Sequence, residues 1–211
     1  MINKIKNKII KATKQMTTIG FNIGSEGNIS HRYDQKILIT PSGIDNLDLT
    51  IAKISEVDIE GEVKNGIEPS SEIFMHSYLY KKYPEIHSIV HCHSNWATIL
   101  SCFGIKIPSF HYMVAEFGGN DVKCAKYATF GTKELARNII QVMKNRNACL
   151  ISNHGQLTMG QNIESALHLS IALEKLSKQY YFCSLKKNFN VLGNKEMEKV
   201  VKLFGDYKPK H

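Results

Sequence analysis

Residues 2–19 place Ile2, Ile5, Ile9, Ala12, Met16 and Ile19 at three- and four-residue spacings, one apolar stripe along a helix that Gly20 stops. The pattern then changes period. A glycine-rich turn, residues 22–30, leads into a strand. Residues 36–40 (Lys-Ile-Leu-Ile-Thr) read as a second strand, ended by Pro41-Ser-Gly43, and residues 54–59 alternate like a third. Pro69-Ser-Ser opens a helix that runs to about Tyr83, where Pro84 ends it. Residues 87–93 (His-Ser-Ile-Val-His-Cys-His) read as a buried-type strand. A short helix follows at 95–103, an extended stretch at 108–114, and a helix with a Thr-x-Glu start at 132–145. Residues 148–153 are another apolar strand. Residues 162 to about 187 form a long helix, and 195–204 form the last one. Helices and strands mix without strict alternation. The expected fold is therefore α/β, one domain over residues 1–211, with a mostly antiparallel central sheet flanked by helices. No linker, repeat or low-complexity segment interrupts it.

Composition changes this picture little. Hydrophobic content of 43% and charged content of 22% are ordinary for a soluble globular chain of 211 residues. The residues after Met1 contain no continuous apolar run, so neither a signal peptide nor a membrane span is expected. Five cysteines, an odd number without a Cys-x-x-Cys pair, point to reduced thiols and a cytoplasmic location. The net charge of +8 raises nucleic-acid binding. However, the lysines are scattered and gather at the two ends, and no basic run interleaves with aromatics. A basic surface that draws in anionic substrates fits better.

The chemistry lies in the middle of the chain. His91 and His93 sit in Ile-Val-His-Cys-His, and on a strand their rings project to the same face. Cys92, between them, projects to the other. His154, in Ser-Asn-His-Gly, can close a trigonal set, leaving a fourth position open as at a catalytic zinc. With 9 histidines in 211 residues, His-x-His arises by chance roughly 0.4 times, so two strand histidines without a metal remain the competing reading. Three turns favour anions. Gly24-Ser-Glu-Gly-Asn-Ile-Ser30 offers backbone amides together with Ser25, Gly27 and Asn28. Thr40-Pro-Ser-Gly43 exposes Ser42 and Gly43 at a strand end. Ser70 and Ser71 open a helix, where unpaired N–H groups and the dipole attract anions. Each turn also has a plain structural reading, as a hairpin or an N-cap. Glu72 is either a first-turn acid or a general base beside a metal.

Taken in order, these stretches resemble the fuculose-1-phosphate aldolase family of class II, metal-dependent aldolases, in the wider aldolase/epimerase/adducin-head superfamily. The matching segments are Gly-Asn-Ile-Ser (27–30), Leu-Ile-Thr-Pro-Ser-Gly-Ile (38–44), Pro-Ser-Ser-Glu (69–72), His-Cys-His (91–93), Ile-Pro-Ser-Phe-His-Tyr-Met (107–113), Gly-Gly-Asn (118–120), Tyr-Ala-Thr-Phe-Gly-Thr (127–132) and Asn-His-Gly (153–155). The resemblance implies one zinc per chain on His91, His93 and His154, with Glu72 as fourth ligand at rest. It implies a phosphate pocket from Ser25, Gly27, Asn28, Ser42, Gly43, Ser70 and Ser71, and catalytic tyrosines at Tyr112 and Tyr207. It further implies a homotetramer with the site at a subunit interface. The expected reaction is reversible cleavage of a ketose 1-phosphate, L-fuculose 1-phosphate or a related deoxy or methylthio pentulose 1-phosphate. The products are dihydroxyacetone phosphate and an aldehyde, formed by zinc-stabilised enediolate chemistry with Glu72 as acid and base. A pentulose-phosphate 4-epimerase, a dehydratase or an adducin-head-like interaction module are the alternatives. Two departures, Glu116 and Gln156, are expected near the aldehyde end of the substrate.

Overall fold

A computed structural model describes residues 1–186 and 188–206. Eight strands form one sheet, in the order β3-β2-β1-β4-β8-β7-β6-β5. The strands are β1 (Asn28–Tyr33), β2 (Lys36–Ile39), β3 (Ser55–Asp58), β4 (Ser88–Cys92), β5 (Ile107–Pro108), β6 (Asp121–Ala125), β7 (Ala148–Ile151) and β8 (Gly155–Gly160). The sheet is mixed. β6 and β7 run parallel and the other pairings are antiparallel. Helices α1 (Ile2–Thr18), α2 (Ile73–Lys82), α3 (Asn95–Cys102), α4 (Lys133–Met143), α5 (Ile163–Ser184) and α6 (Asn194–Asp206) cover it.

The strand alternation decides what each layer buries. Ile37, Ile39, Ile89 and Leu157 pack with α2 and α4 on one face. Leu38, Val90 and Cys92 pack with α1 and α5 on the other. Beyond β7, side chains of β6, α3, α5 and α6 make a third cluster that includes Leu100, Leu150, Leu173 and Met197. Full burial of one such side chain contributes roughly 1.5–3 kcal/mol. All of β4 is buried, as expected of a strand covered on both faces.

Three local expectations are corrected. Helix α2 begins at Ile73, not at Pro69. Residues before it continue as an extended strap instead: Pro41 and Pro69 form a bridge, and the Ser70 N–H donates to the Thr40 carbonyl at 3.0 Å. The stretch at 108–114 is extended only at its start. Tyr112–Phe117 winds into a 3-10 helix because the His111 ring accepts from the Met113 N–H, and Gly118 ends it at φ 88°. Strands β6 and β8 carry little sequence signal. β8 reads Gly-Gln-Leu-Thr-Met-Gly, yet it is completely buried, with α5 on one face and the α2–α4 layer on the other. Tertiary cover, not propensity, makes it a strand. None of the described helices is long and apolar enough to cross a membrane. All five cysteines are free thiols.

Candidate metal centre

Three separate pieces of the chain bring the histidines together. His91 lies in β4 and His93 just past its end, on the face opposite Cys92, whose thiol meets Ser170 of α5 at 3.2 Å. His154 sits in the turn between β7 and β8, where Asn153 adopts a left-handed conformation (φ 54°) that asparagine tolerates. The rings lie 4.8–5.1 Å apart by their centroids. His91 Nε2 is 3.1 Å from His93 Nε2 and 3.1 Å from Glu72 Oε2, and Glu72 Oε1 is 3.4 Å from His154 Nε2.

The donor chemistry fits a metal ion. Burial, and next the charge of His91, push His93 and His154 down to about 4, so near neutral pH both rings carry a free lone pair. His91 Nδ1 faces the Gln156 carbonyl at 2.8 Å and donates to it, which leaves Nε2 to face the cluster. Burial alone would raise the Glu72 carboxyl. The charges of His91 and His154 and hydrogen bonds from His91 and Asn28 outweigh it and hold Glu72 ionised far below the usual range. Its Oε1 is buried without a hydrogen-bond partner. An ionised oxygen left unpaired beside three imidazoles is where a cation belongs.

A cavity of about 380 Å³ opens above this cluster. Ser25, Gly27, Asn28, Ser42, Ser70 and Ser71 line it, together with Glu72, His93 and His154. The strap explains why the turns converge: the Ser42 N–H donates to the Glu68 carbonyl (3.1 Å) and ties the 40–43 turn to the Ser70-Ser71 segment. Gly27 is required on two counts, since φ is +64° and an added Cβ would lie 2.7 Å from the His91 carbonyl. Gly43, at φ 67°, shapes its turn without lining the cavity.

Six lining residues were given no role from the sequence: Glu26, Pro41, Tyr127, Ala128, Phe130 and Asn153. Glu26 Oε2 stands 3.8 Å from His93 Nδ1. Phe130 belongs to a loop pressed against the Ser71 backbone, where a Cβ on Gly131 would meet the Ser71 carbonyl at 2.8 Å. Each of the six lies in or beside a stretch singled out in the sequence, but only the fold turns it toward the cavity.

Other expectations are redirected. Tyr112 is 52% exposed and does not line this cavity. It borders a separate apolar groove with Met113, Val200, Leu203 and Phe204. Tyr207 lies outside the described residues. Glu116 pairs with His168 at 2.8 Å in another groove, away from the histidines. Gln156 approaches the metal cluster only through its carbonyl. Its side chain faces α5, donating to Ser94 Oγ (2.6 Å) and the Ser170 carbonyl (3.2 Å), because it is one residue out of phase with the cavity side of β8. Neither departure therefore lies in the cavity formed by one chain.

Comparison with known proteins agrees with this geometry. Residues 7–181 match the family described as class II aldolase and adducin N-terminal domain. The chain is 40% identical to a 5-methylthioribulose-1-phosphate/5-deoxyribulose-1-phosphate aldolase of Rhodospirillum rubrum, over 96% of this chain and 92% of that protein. It is 38% identical to an L-fuculose phosphate aldolase of Escherichia coli, over 97% and 96% respectively. Among solved structures, an L-fuculose 1-phosphate aldolase superposes with a TM-score of 0.92 at 37% identity, covering 96% of both chains.

Proposed function

The chain belongs to the class II aldolase and adducin N-terminal family and is an aldehyde-lyase, and from that premise we propose that it cleaves a ketose 1-phosphate reversibly to dihydroxyacetone phosphate and an aldehyde. The observation that carries this reading is the His91, His93, His154 and Glu72 cluster at the floor of a cavity walled by anion-binding turns. These residues would hold a zinc ion, which would supply a Lewis acid for the substrate carbonyl and for negative charge on its oxygen.

The protein's own groups do the rest. Ser25, Asn28, Ser42, Ser70 and Ser71 hold the phosphate, with backbone amides at Gly27 and Gly43. In the synthetic direction Glu72 takes the proton from the carbon beside the carbonyl of dihydroxyacetone phosphate. In cleavage it returns a proton to that carbon as the carbon–carbon bond breaks. In the synthetic direction the Tyr112 phenol of an adjacent subunit in a homotetramer donates its proton to the aldehyde oxygen as that oxygen becomes a hydroxyl. The exposure of Tyr112 on a separate groove supports a role in a neighbour's cavity. Tyr207 is assigned to the same end of the substrate. The protein works as a small-molecule enzyme of the cytoplasm, without nucleic-acid or membrane partners.

Tyr127 and Phe130, both exposed at the cavity wall, offer an apolar surface to a deoxy or methylthio tail. Incubation of zinc-loaded protein with dihydroxyacetone phosphate and acetaldehyde, methylthioacetaldehyde or lactaldehyde tests the reading. The expected product is one preferred ketose 1-phosphate. Absence of any carbon–carbon bond formation, with inversion or water loss on pentulose phosphates instead, would move the enzyme to the epimerase or dehydratase reaction.

A further inference from the structure

Behind Glu72 runs a line of buried polar side chains, of which the reaction above uses only Asn28. Asn28 Nδ2 donates to Glu72 Oε2 at 2.9 Å. Asn28 Oδ1 lies 2.5 Å from His76 Nε2, His76 Nδ1 lies 2.7 Å from Ser30 Oγ, and Ser30 Oγ lies 2.7 Å from the Tyr80 hydroxyl. These residues are all buried, and they come from β1 and α2 on the cavity side of the sheet. A core built for packing alone would carry apolar groups here.

The line has a fixed polarity, and its Glu72 end sets it. An ionised carboxylate only accepts, so Asn28 must turn its N–H group toward Glu72. The Asn28 oxygen then faces His76, and His76 must donate from Nε2. Burial keeps that ring neutral, pushing it down to about 3, so it carries one proton. Nδ1 must then accept from the Ser30 hydroxyl, whose oxygen faces the Tyr80 hydroxyl; that hydroxyl also reaches the His87 carbonyl at 3.2 Å. With its oxygen held by His76, Asn28 has only N–H groups left to offer. One serves Glu72. The other has no partner among the hydrogen bonds of the described residues, and Asn28 lines the cavity.

We propose that His76 is a positioning residue that locks the Asn28 amide with both N–H groups toward anions, Glu72 on one side and an oxygen of the phosphorylated substrate on the other. The inference rests on the phosphate-pocket reading. It adds that a buried histidine decides which way the pocket's asparagine faces. Without that lock the amide can rotate, placing its oxygen against the carboxylate and the phosphate, where it repels both.

The test compares His76→Leu, which removes the lock, with His76→Gln, whose amide can donate to Asn28 and accept from Ser30. Orthophosphate affinity is measured by calorimetry on the zinc-loaded protein, and deuterium exchange into dihydroxyacetone phosphate without aldehyde is followed alongside. His76→Leu should lower both about 10-fold, the lower range for loss of an outer partner of a metal-site group, with zinc content unchanged. His76→Gln should recover most of each loss. Wild-type affinity and exchange in a folded His76→Leu protein would overturn the proposal, as would equal losses in the two variants. Should His76→Leu not fold, nitrogen-15 shifts of the wild-type ring decide. A proton on Nε2 is expected, and a proton on Nδ1 would reverse the polarity and end the argument. Orthophosphate binding and the ring tautomer do not depend on the reaction catalysed. A wild-type protein that binds orthophosphate without exchanging dihydroxyacetone phosphate would therefore overturn the aldolase reading alone.

Discussion

Two carboxylates sit on opposite faces of the same part of the sheet, and they are finished differently. Glu174 of α5 is saturated. Its Oε1 accepts from the Trp96 N–H (2.9 Å), and its Oε2 accepts from Ser94 Oγ (2.6 Å) and the Ala97 N–H (2.9 Å). It caps the start of α3, where exposed N–H groups attract negative charge. Glu72 lies at the start of α2 but caps nothing through its side chain. One oxygen takes a bond from Asn28 and faces His91 Nε2 at 3.1 Å, and the other is left bare against His154. Each carboxylate is fed by a line of polar groups, Gln156 and Ser94 for Glu174, and His76 and Asn28 for Glu72. The difference is what remains unspent. A saturated carboxylate holds structure together. An unsaturated one, aimed into a cavity, is free to take the metal and the proton that the proposed reaction assigns to it.

The largest effect should come from removing the partner that Glu72 lacks. His93→Ala deletes one of three imidazoles, so the protein should lose its zinc and its aldol activity while the fold remains. Metal analysis and circular dichroism check this together. Full activity in a metal-stripped sample with chelator present would dissolve the contrast between the two carboxylates. Next in size is Glu72→Gln, which keeps the shape and removes the base. Zinc and dihydroxyacetone phosphate should still bind, but proton exchange beside the carbonyl should fall by about 10²–10⁴-fold. Exchange at the wild-type rate would reduce Glu72 to a ligand or a helix-start residue.

Sequence made one half of this contrast legible. His91 and His93 share a face because a strand has period two, and the glycine and serine turns announce themselves by residue type. The family resemblance placed Glu72 among them. The sequence could not show convergence, since the strap that joins residue 40 to residue 70 is a backbone pairing without a side-chain signature. Glu174 carries no signature of its capping role on the long helix, because that role depends on which helix start lies opposite. Gln156 was misplaced for a similar reason: β8 was not foreseen, so its phase against β4 was unknown. Phe130 and Tyr127 enter the cavity on a loop whose path only the packed Gly131 reveals. Local pattern, in short, names the donors, while tertiary pairing decides which of them meet.

A smaller effect is expected at the cavity rim. Ser71→Ala removes one hydroxyl donor from the pocket that faces Glu72. A hydrogen bond to a charged group contributes about 1.5–3 kcal/mol, so affinity for orthophosphate should drop roughly 10- to 100-fold. Zinc content and thermal stability should not change, since Ser71 is exposed. If wild-type protein binds phosphorylated and unphosphorylated ligands equally, the three turns are turns only.

The smallest catalytic effect belongs to the other carboxylate, and it gives the sharpest test of the contrast. Glu174→Gln keeps the side-chain length but replaces one oxygen with an N–H₂ group. That group must face donors, because Ser94 Oγ and the N–H groups of Trp96 and Ala97 all point at the carboxylate. At least one donor then loses its acceptor, and the negative charge at the start of α3 disappears. Leaving a buried donor unsatisfied costs about 1–3 kcal/mol, and loss of favourable charge at a helix start adds about 0.3–1 kcal/mol. Unfolding in denaturant should report a loss of that order, against none for Ser71→Ala. Turnover should stay close to wild type, because α3 packs behind β7 and β8 and supplies no residue to the cavity. The prediction pairs with Glu72→Gln in opposite sense: that variant loses exchange and keeps stability, whereas this one loses stability and keeps exchange. A Glu174→Gln protein with intact stability but impaired turnover would show that saturation does not separate structural from chemical carboxylates in this fold.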